Sequence, residues 1–270
     1  MATGDATGLR RGLAILLAVE DEEALGARPP GVTRIASLVG SDKSQVSRSV
    51  RILAEHGLVD RDPGTLGYRP GWRLLAMAGR SSRASLLLSA GAPVLKRLVR
   101  QTGERAHLSV LRGTDVVTLL SEGSGHAVQA AGWVGRSVPL HSTSSGRALL
   151  LDHTPQEIAE LFDGLSFGGA TAKAPRSARR LSERIAAARA CGFALVDEEF
   201  EAGLVAVAAP VRDLGGRIVA ALNVSAPKFR FERRLPRAGK QVKAAADELS
   251  ATLGWDAGAA ATGSVAASER

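Results

Sequence analysis

The stretch from Val32 to Arg73 constrains the fold more than any other part of the chain, because it parses end to end as helix, tight turn, helix and hairpin. Val32 to Val39 has the spacing of a short helix, Gly40-Ser41 supplies a turn, and Asp42 to Arg48 begins a second helix. Within that second helix Val46, Val50 and Leu53 recur on one face, while Lys43, Ser44, Gln45, Ser47, Arg48 and Arg51 stand on the other. One face packs and the other is left to read a groove. Ser41 is the expected N-cap, which would leave the first helical amides, with Lys43 and Ser44, to meet a phosphate. Leu58-Val59 and Tyr68-Arg69 flank Asp60 to Gly67 as two short strands and a tip, with Arg61 and Arg69 positioned to reach a DNA backbone. Together these features predict a winged helix-turn-helix whose second helix enters the major groove of double-stranded DNA. Gln45 is the residue expected to read a base directly, since its amide matches adenine in a bidentate way.

Leu9, Leu13, Leu16 and Leu17 predict a preceding helix that completes a three-helix core. The acidic run Asp21-Glu22-Glu23 and the segment Gly26 to Gly31 are expected to form a loop turned away from phosphate. The formal charge of +8 would by itself suggest a polyanionic partner. Its distribution argues otherwise: residues 1–80 hold eleven Lys and Arg against nine Asp and Glu, so most of the excess lies downstream. Local placement of the cations therefore matters more than their sum.

Downstream the pattern changes. Residues 79–102 are helical in spacing, with Pro93 expected to split them into a linker helix at 79–91 and a helix opening the next domain. Short strands follow at His107 to Leu111, Val116 to Ser121, Ala127 to Ala131, Leu204 to Val211 and Arg217 to Ser225. Helices are expected near Ser145 to Leu151, Pro155 to Phe162, Arg179 to Ala190 and Leu235 to Leu253. Hairpins with intervening helices favour an α+β fold on an antiparallel sheet. The boundaries read as a flexible N-terminus at 1–8, the winged domain at 9–78, the linker at 79–91, a sheet domain at 92–255 and a disordered tail at 256–270.

A single cysteine, Cys191, excludes an intramolecular disulfide framework and a multi-cysteine metal site. With no basic-then-apolar leader and no apolar run approaching the ~18 residues that span a bilayer, the expected setting is the cytoplasm, away from membranes. His141 beside Ser142, Ser144 and Ser145 invites a hydrolase reading, but Ser142 to Gly146 lacks the first glycine of the G-x-S-x-G elbow, and neighbours in sequence cannot form a Ser-His-acid geometry. No phosphate-binding glycine loop is present, and the acids at Asp197 to Glu201 are expected to be a solvated turn. Catalysis and cofactors are therefore not expected. The competing class is a small-molecule-binding or hydrolase-like module whose first domain contacts protein.

Three stretches carry a resemblance: Gly8-Leu9-Arg10-Arg11-Gly12-Leu13; Val134 through Ala148; and Gly192 through Gly203 running into Val207-Ala208-Ala209-Pro210-Val211. In order and spacing the chain resembles the IclR family of bacterial transcriptional regulators from about Leu9 to Trp255. The resemblance implies a DNA-binding N-terminal domain and a GAF-like effector domain, assembled as a homodimer or a dimer of dimers. It also implies control, more often repression, by an organic or aromatic acid. The family's ligand pocket falls here on Ser144, Ser145 and Gly146, whose amides would bind a carboxylate, and on Asn223 and Ser225 of the last strand. Asp197 is carried over as a residue facing the ligand. The chain departs from the family at Val196-Asp197, where relatives often have paired acids, and at Ala206, a cysteine in some. With Ala130, Val138 and Leu204 on the expected wall, the implied pocket is roomier and less polar, suited to a larger acid.

Overall fold

The computed structural model describes residues 3–25, 27–80, 82–123, 133–168 and 170–256. The expected strand at Ala127 to Ala131 and the expected tail beyond residue 256 lie outside them. The chain divides into two compact units, Met1–Ser85 and Leu86–Arg270.

The first unit contains α1 (Thr3–Ala24), α2 (Val32–Val39), α3 (Lys43–Glu55), β1 (Val59–Arg61), β2 (Tyr68–Pro70) and α4 (Trp72–Arg80). Its core is Ile15, Val19, Ile35, Val46, Val50 and Val59, so the inward face expected of α3 is found. Gly40 closes α2 in the left-handed conformation (φ 61°), which glycine adopts without steric cost. β1 and β2 pair antiparallel in the register Val59↔Pro70 to Arg61↔Tyr68, forming the wing.

Four expectations for this unit are corrected. The helix α1 begins at Thr3 rather than Leu9. Its buried residues are Ile15 and Val19, one turn apart, whereas Leu9, Leu13 and Leu17 are 67%, 53% and 62% exposed. At 100° per residue these three leucines fall on a different face from Ile15 and Val19; Leu16, the fourth expected core leucine, is half-buried and does pack on the core. The helix also runs to Ala24, so Asp21 to Glu23 occupy its last turn, where Glu22 binds Arg34 at 2.9 Å and Glu23 binds Arg69 at 3.3 Å. Finally, Asp42 rather than Ser41 caps α3, accepting the Ser44 amide on Oδ1 at 2.8 Å.

The second unit is a six-stranded antiparallel sheet with helices on both faces, the α+β architecture expected. Its elements are α5 (Ser82–Thr102), β3 (Arg105–Arg112), β4 (Asp115–Glu122), β5 (Ser137–Pro139), α6 (Ser144–Leu149), α7 (Pro155–Leu161), α8 (Ala178–Cys191), β6 (Ala194–Asp197), β7 (Leu204–Arg212), β8 (Ile218–Pro227), α9 (Lys228–Phe231) and α10 (Leu235–Thr252). The strand order is β5-β4-β3-β8-β7-β6. Strand alternation splits the core in two. Ala106, Leu108, Val205, Val207, Leu222 and Val224 pack with α5 and α10. Ala208 and Ala221 instead join Leu140, Leu150, Ile158, Leu181 and Ile185 on the opposite face.

The break expected at Pro93 is absent: α5 is one helix through it. A proline inside a helix costs about 3 kcal/mol, yet Leu95 and Leu98 beyond it are fully buried and each return roughly 2 kcal/mol. Pro93 and Ser89 both sit on the exposed side of the helix. Among the described residues no helix is long and apolar enough to cross a membrane.

The contact between α10 and the turn before β6 is closest at Gly239, where an added methyl would stand 2.3 Å from Phe193 Cε2. Gly239→Ala should therefore lower stability by about 1–3 kcal/mol through overpacking, read by differential scanning calorimetry as a lower transition temperature for the unit carrying α10.

Candidate functional site

Two surfaces carry chemistry. On the first unit, Lys43, Ser44, Gln45, Ser47, Arg48 and Arg51 of α3 are all exposed, as are Arg61 and Arg69 of the wing. Their partners differ. Arg48 Nε reaches the Ser44 carbonyl at 3.4 Å, and Arg51 lies 3.6 Å from Glu55, both loose contacts. Arg69, by contrast, is clasped between Asp62 at 3.1 Å and Glu23 at 3.3 Å. The wing tip is built on Asp62, whose Oδ1 accepts the Thr65 amide at 2.7 Å and hydroxyl at 2.9 Å. The start of α3 is likewise occupied. Hydrogen bonds from Ser44 hold the Asp42 carboxyl below its ordinary range, so an anion already sits at the helix terminus expected to meet a phosphate.

On the second unit a cavity of about 60 Å³ opens between the sheet and α6. Its polar floor comes from His107 and Ser109 of β3, Thr118 of β4, Asn223 and Ser225 of β8, and Ser144 of α6. These groups are tied in pairs: Asn223 Nδ2 donates to Ser144 Oγ at 3.2 Å, Ser109 and Thr118 hydroxyls lie 3.5 Å apart, and Ser225 Oγ lies 3.4 Å from His107 Nε2. The walls are Val116, Val138, Val196, Leu204 and Ala206, with Trp133 and Phe200. Trp133 leans on His107 with ring centroids 5.5 Å apart and carries Arg136 over its own ring at 5.4 Å.

Of the residues expected at a pocket, Val138, Ser144, Ser145, Leu204, Ala206, Asn223 and Ser225 line this cavity. Two do not join them. Asp197 pairs with Lys228 at 2.7 Å on the exposed side of β6. Gly146 gives its amide to Thr143 Oγ1 at 3.1 Å, and a methyl on it would stand 1.9 Å from the Leu140 carbonyl, so it serves the close approach of α6 to the preceding turn. Ala130 lies outside the described residues. Trp133 and Phe200 add aromatic rings to the wall, and the floor is a row of hydroxyls, an amide and an imidazole. His107, Ser109 and Thr118 went unrecognised although each alternates with core residues on its strand; Phe200 sits in a turn whose geometry has no local signature.

His141 is held edge-on by Phe167 at 5.2 Å, and its Nε2 is buried with no partner among the described residues. It does not line the cavity, and Ser144 bonds Asn223 instead. The described residues contain no cluster of three or more His, Cys, Asp or Glu able to hold a metal.

Burial, reinforced by Arg105, pushes the His107 imidazole down to about 3. The unfolded chain, with an ordinary value near 6.5, then binds more protons than the folded protein at any pH between those limits. Stability is fully present above about pH 6.5 and falls with acidification by about 1.4 kcal/mol per unit from this group. Thermal unfolding between pH 7.5 and 5 should show this slope, and His107→Asn should flatten it.

Comparison with known proteins agrees along the chain. The family model for the IclR helix-turn-helix domain matches residues 8–63, and that for the bacterial transcriptional regulator IclR C-terminal domain matches residues 82–251. The HTH-type transcriptional regulator BhcR of Paracoccus denitrificans is 32% identical over 221 residues, covering 81% of this chain and 79% of the relative. The transcriptional repressor IclR of Escherichia coli is 27% identical over 260 residues, covering 94% of this chain and 92% of the relative. The crystal structure of the Thermotoga maritima IclR superposes with a TM-score of 0.72 at 24% identity, over 93% of this chain and all of that one, and shares the fold.

Proposed function

We propose, from the premise that this chain belongs to the IclR family of bacterial transcriptional regulators, that its DNA affinity is set by a small effector held between β3, β8 and α6. The protein is a DNA-binding transcriptional regulator. In our reading it acts as a repressor, as its E. coli relative is named, and works in the cytoplasm.

The single observation that carries the DNA half is the division of α3, with Val46 and Val50 fully buried and Lys43, Ser44, Gln45, Ser47, Arg48 and Arg51 exposed. Gln45 reads a base edge, Lys43 and Arg48 flank it, and Ser44, Ser47, Arg51 and Arg61 steady the phosphates. Arg69 takes the lesser role of bracing the wing against α1 through Glu23. Asp42 keeps phosphate off the first turn of α3, so contact comes from side chains. A homodimer, formed where Leu9, Leu13 and Leu17 leave an apolar ridge on α1, would address two half-sites. The cavity is a binding site without catalysis, its Ser144 hydroxyl being bonded to an amide.

Gln45→Ala with Arg48→Ala should weaken specific operator binding at least tenfold, from about 1–3 kcal/mol per lost bidentate contact, with unchanged circular dichroism. Fluorescence anisotropy against operator and scrambled duplexes over a salt series measures it; a misfolded variant would mean that this face packs. Ala206→Leu should fill the cavity, leaving operator binding intact and removing the response to effector. A retained response would move the effector elsewhere.

A further inference from the structure

The wing turn holds a backbone conformation that the neighbouring glycines could have taken instead. Of the twelve residues with positive φ among those described, ten are glycine; the others are Leu66 (φ 58°) and Glu198 (φ 55°). For a bulky side chain this region is sterically unfavourable. Gly64 and Gly67 stand two residues before and one residue after Leu66, yet the left-handed position falls on the leucine. Glu198 has a local reason for its conformation, since its carboxylate accepts from the Gly203 amide at 3.0 Å and from Lys228 at 3.0 Å. The apolar side chain of Leu66 makes no such bond. It is 58% exposed and stands apart from the buried cluster of its unit.

The conformation is imposed by the residues around it. The Leu66 amide donates to the Asp62 carbonyl at 2.8 Å, and the Asp62 amide to the Gly67 carbonyl at 2.9 Å. Asp62 Oδ1 accepts from the Thr65 amide and hydroxyl, and Thr65 Oγ1 accepts from the Gly67 amide at 3.2 Å. Behind the turn, a methyl on Gly67 would stand 2.1 Å from the Pro29 carbonyl oxygen, and the Tyr68 amide donates to the Pro30 carbonyl at 3.1 Å. The turn is thus clamped to the loop ahead of α2 while the leucine projects into solvent. A strained residue whose side chain supports nothing in its own unit points to a contact made with something else.

We infer that Leu66 is a specificity-determining residue of DNA binding: its side chain enters the minor groove beside the half-site read by α3 and favours A·T over G·C pairs there. The inference rests on α3 lying in the major groove. Only His56, Gly57 and Leu58 separate α3 from β1, so the wing leaves directly from that helix and its tip meets the adjoining groove. A minor groove about 6 Å wide accommodates one aliphatic side chain. Arg61, exposed at the base of the tip, is placed for the flanking phosphate. The Asp62 carboxylate, which would repel it, is already taken up by Thr65 and Arg69. Leucine forms no hydrogen bond, so it reads the groove by what obstructs it. A·T pairs present only acceptors in the minor groove, whereas guanine adds its N2 amino group. Against an apolar side chain that group is both a bulge in the groove floor and a donor left unpaired.

The test is selection of sites by the full-length protein from a duplex library with a random core. Fluorescence anisotropy then follows on two duplexes that share the selected half-sites and differ only in the flanking pairs, A·T in one and G·C in the other. The unaltered protein should bind the A·T duplex about fivefold more tightly, the lower end of what one wrong pair costs. Leu66→Gly should bind both duplexes alike, at the weaker level, while its unfolding midpoint holds or rises because glycine relieves the left-handed backbone. Leu66→Met should keep the preference. A lowered midpoint in Leu66→Gly would make the leucine a structural residue and overturn the inference. Equal affinity of the unaltered protein for the two duplexes would overturn it, as would a preference that survives in Leu66→Gly. Loss of self-association in Leu66→Gly, read by analytical ultracentrifugation, would make the leucine a contact between copies and overturn it as well. Half-sites that are enriched by the unaltered protein and lost in Gln45→Ala with Arg48→Ala keep α3 in the major groove whatever Leu66 does. If no half-site is enriched, the inference and that reading of α3 fall together.

Discussion

The second unit depends on one buried ion pair. Arg147 of α6, only 2% exposed, donates from Nη2 to Glu199, itself 3% exposed, and from Nη1 to the Leu195 carbonyl at 2.8 Å. Glu199 also lies 3.5 Å from Arg184 of α8, and its carbonyl accepts the Thr171 amide at 3.0 Å. Taking two charges out of water is expensive; both Nη atoms of Arg147 are matched, whereas its Nε is buried with no partner among the described residues. Burial still pulls the guanidinium below its ordinary range. What the arrangement gains is position. It fastens α6, β6 and the turn carrying Phe200 to one another, and these supply three walls of the cavity. An Arg147 without Glu199 would leave a buried charge uncompensated, at about 3–5 kcal/mol.

The first unit is organised by charge in another sense. Of the cations on its wing and recognition helix, Arg69 is spent on Glu23 and Asp62, whereas Lys43, Arg48 and Arg61 keep exposed faces. The acid Glu23 thus ties α1 to the wing, and the wing to the frame that carries α3. Asp42 does the same locally, exchanging an available helix terminus for a fixed one. The surface left to DNA is narrower than the count of arginines suggests, and more rigid.

How far the chain could be read in advance follows from which physical signal each feature carries. α3 was legible because Val46, Val50 and Leu53 set a period that a helix satisfies and a strand does not, and β3, β7 and β8 because their apolar residues alternate. α1 was misread because leucines occur on both its faces and only tertiary packing selects Ile15 and Val19. Pro93 was overweighted, since local cost says nothing of the burial of Leu95 and Leu98 beyond it. Within the cavity, Ser144, Asn223 and Ser225 were identified through family likeness; His107 was not, because a histidine among core residues has the same local appearance whether or not its second nitrogen finds a partner. Cavity size was illegible for a general reason. It depends on what Trp133 and Phe200 fill, and those residues reach the cavity from turns.

Along β3 the residues with opposite duties are adjacent. His107 and Ser109 face the cavity, while Leu108 between them packs against α5, where a methyl on Gly91 would stand only 2.8 Å from Leu108 Cδ2. The ladder with β4 shifts register between Leu108 and Ser109, so the irregular peptide of the strand is the one separating the two faces. A molecule resting on the cavity floor and a helix resting on the back of the sheet are then only one pleat apart, with no relay of side chains between them. Any change of twist at that bulge must tilt both at once, which makes the strand a rocker on which cavity and helix are the two ends.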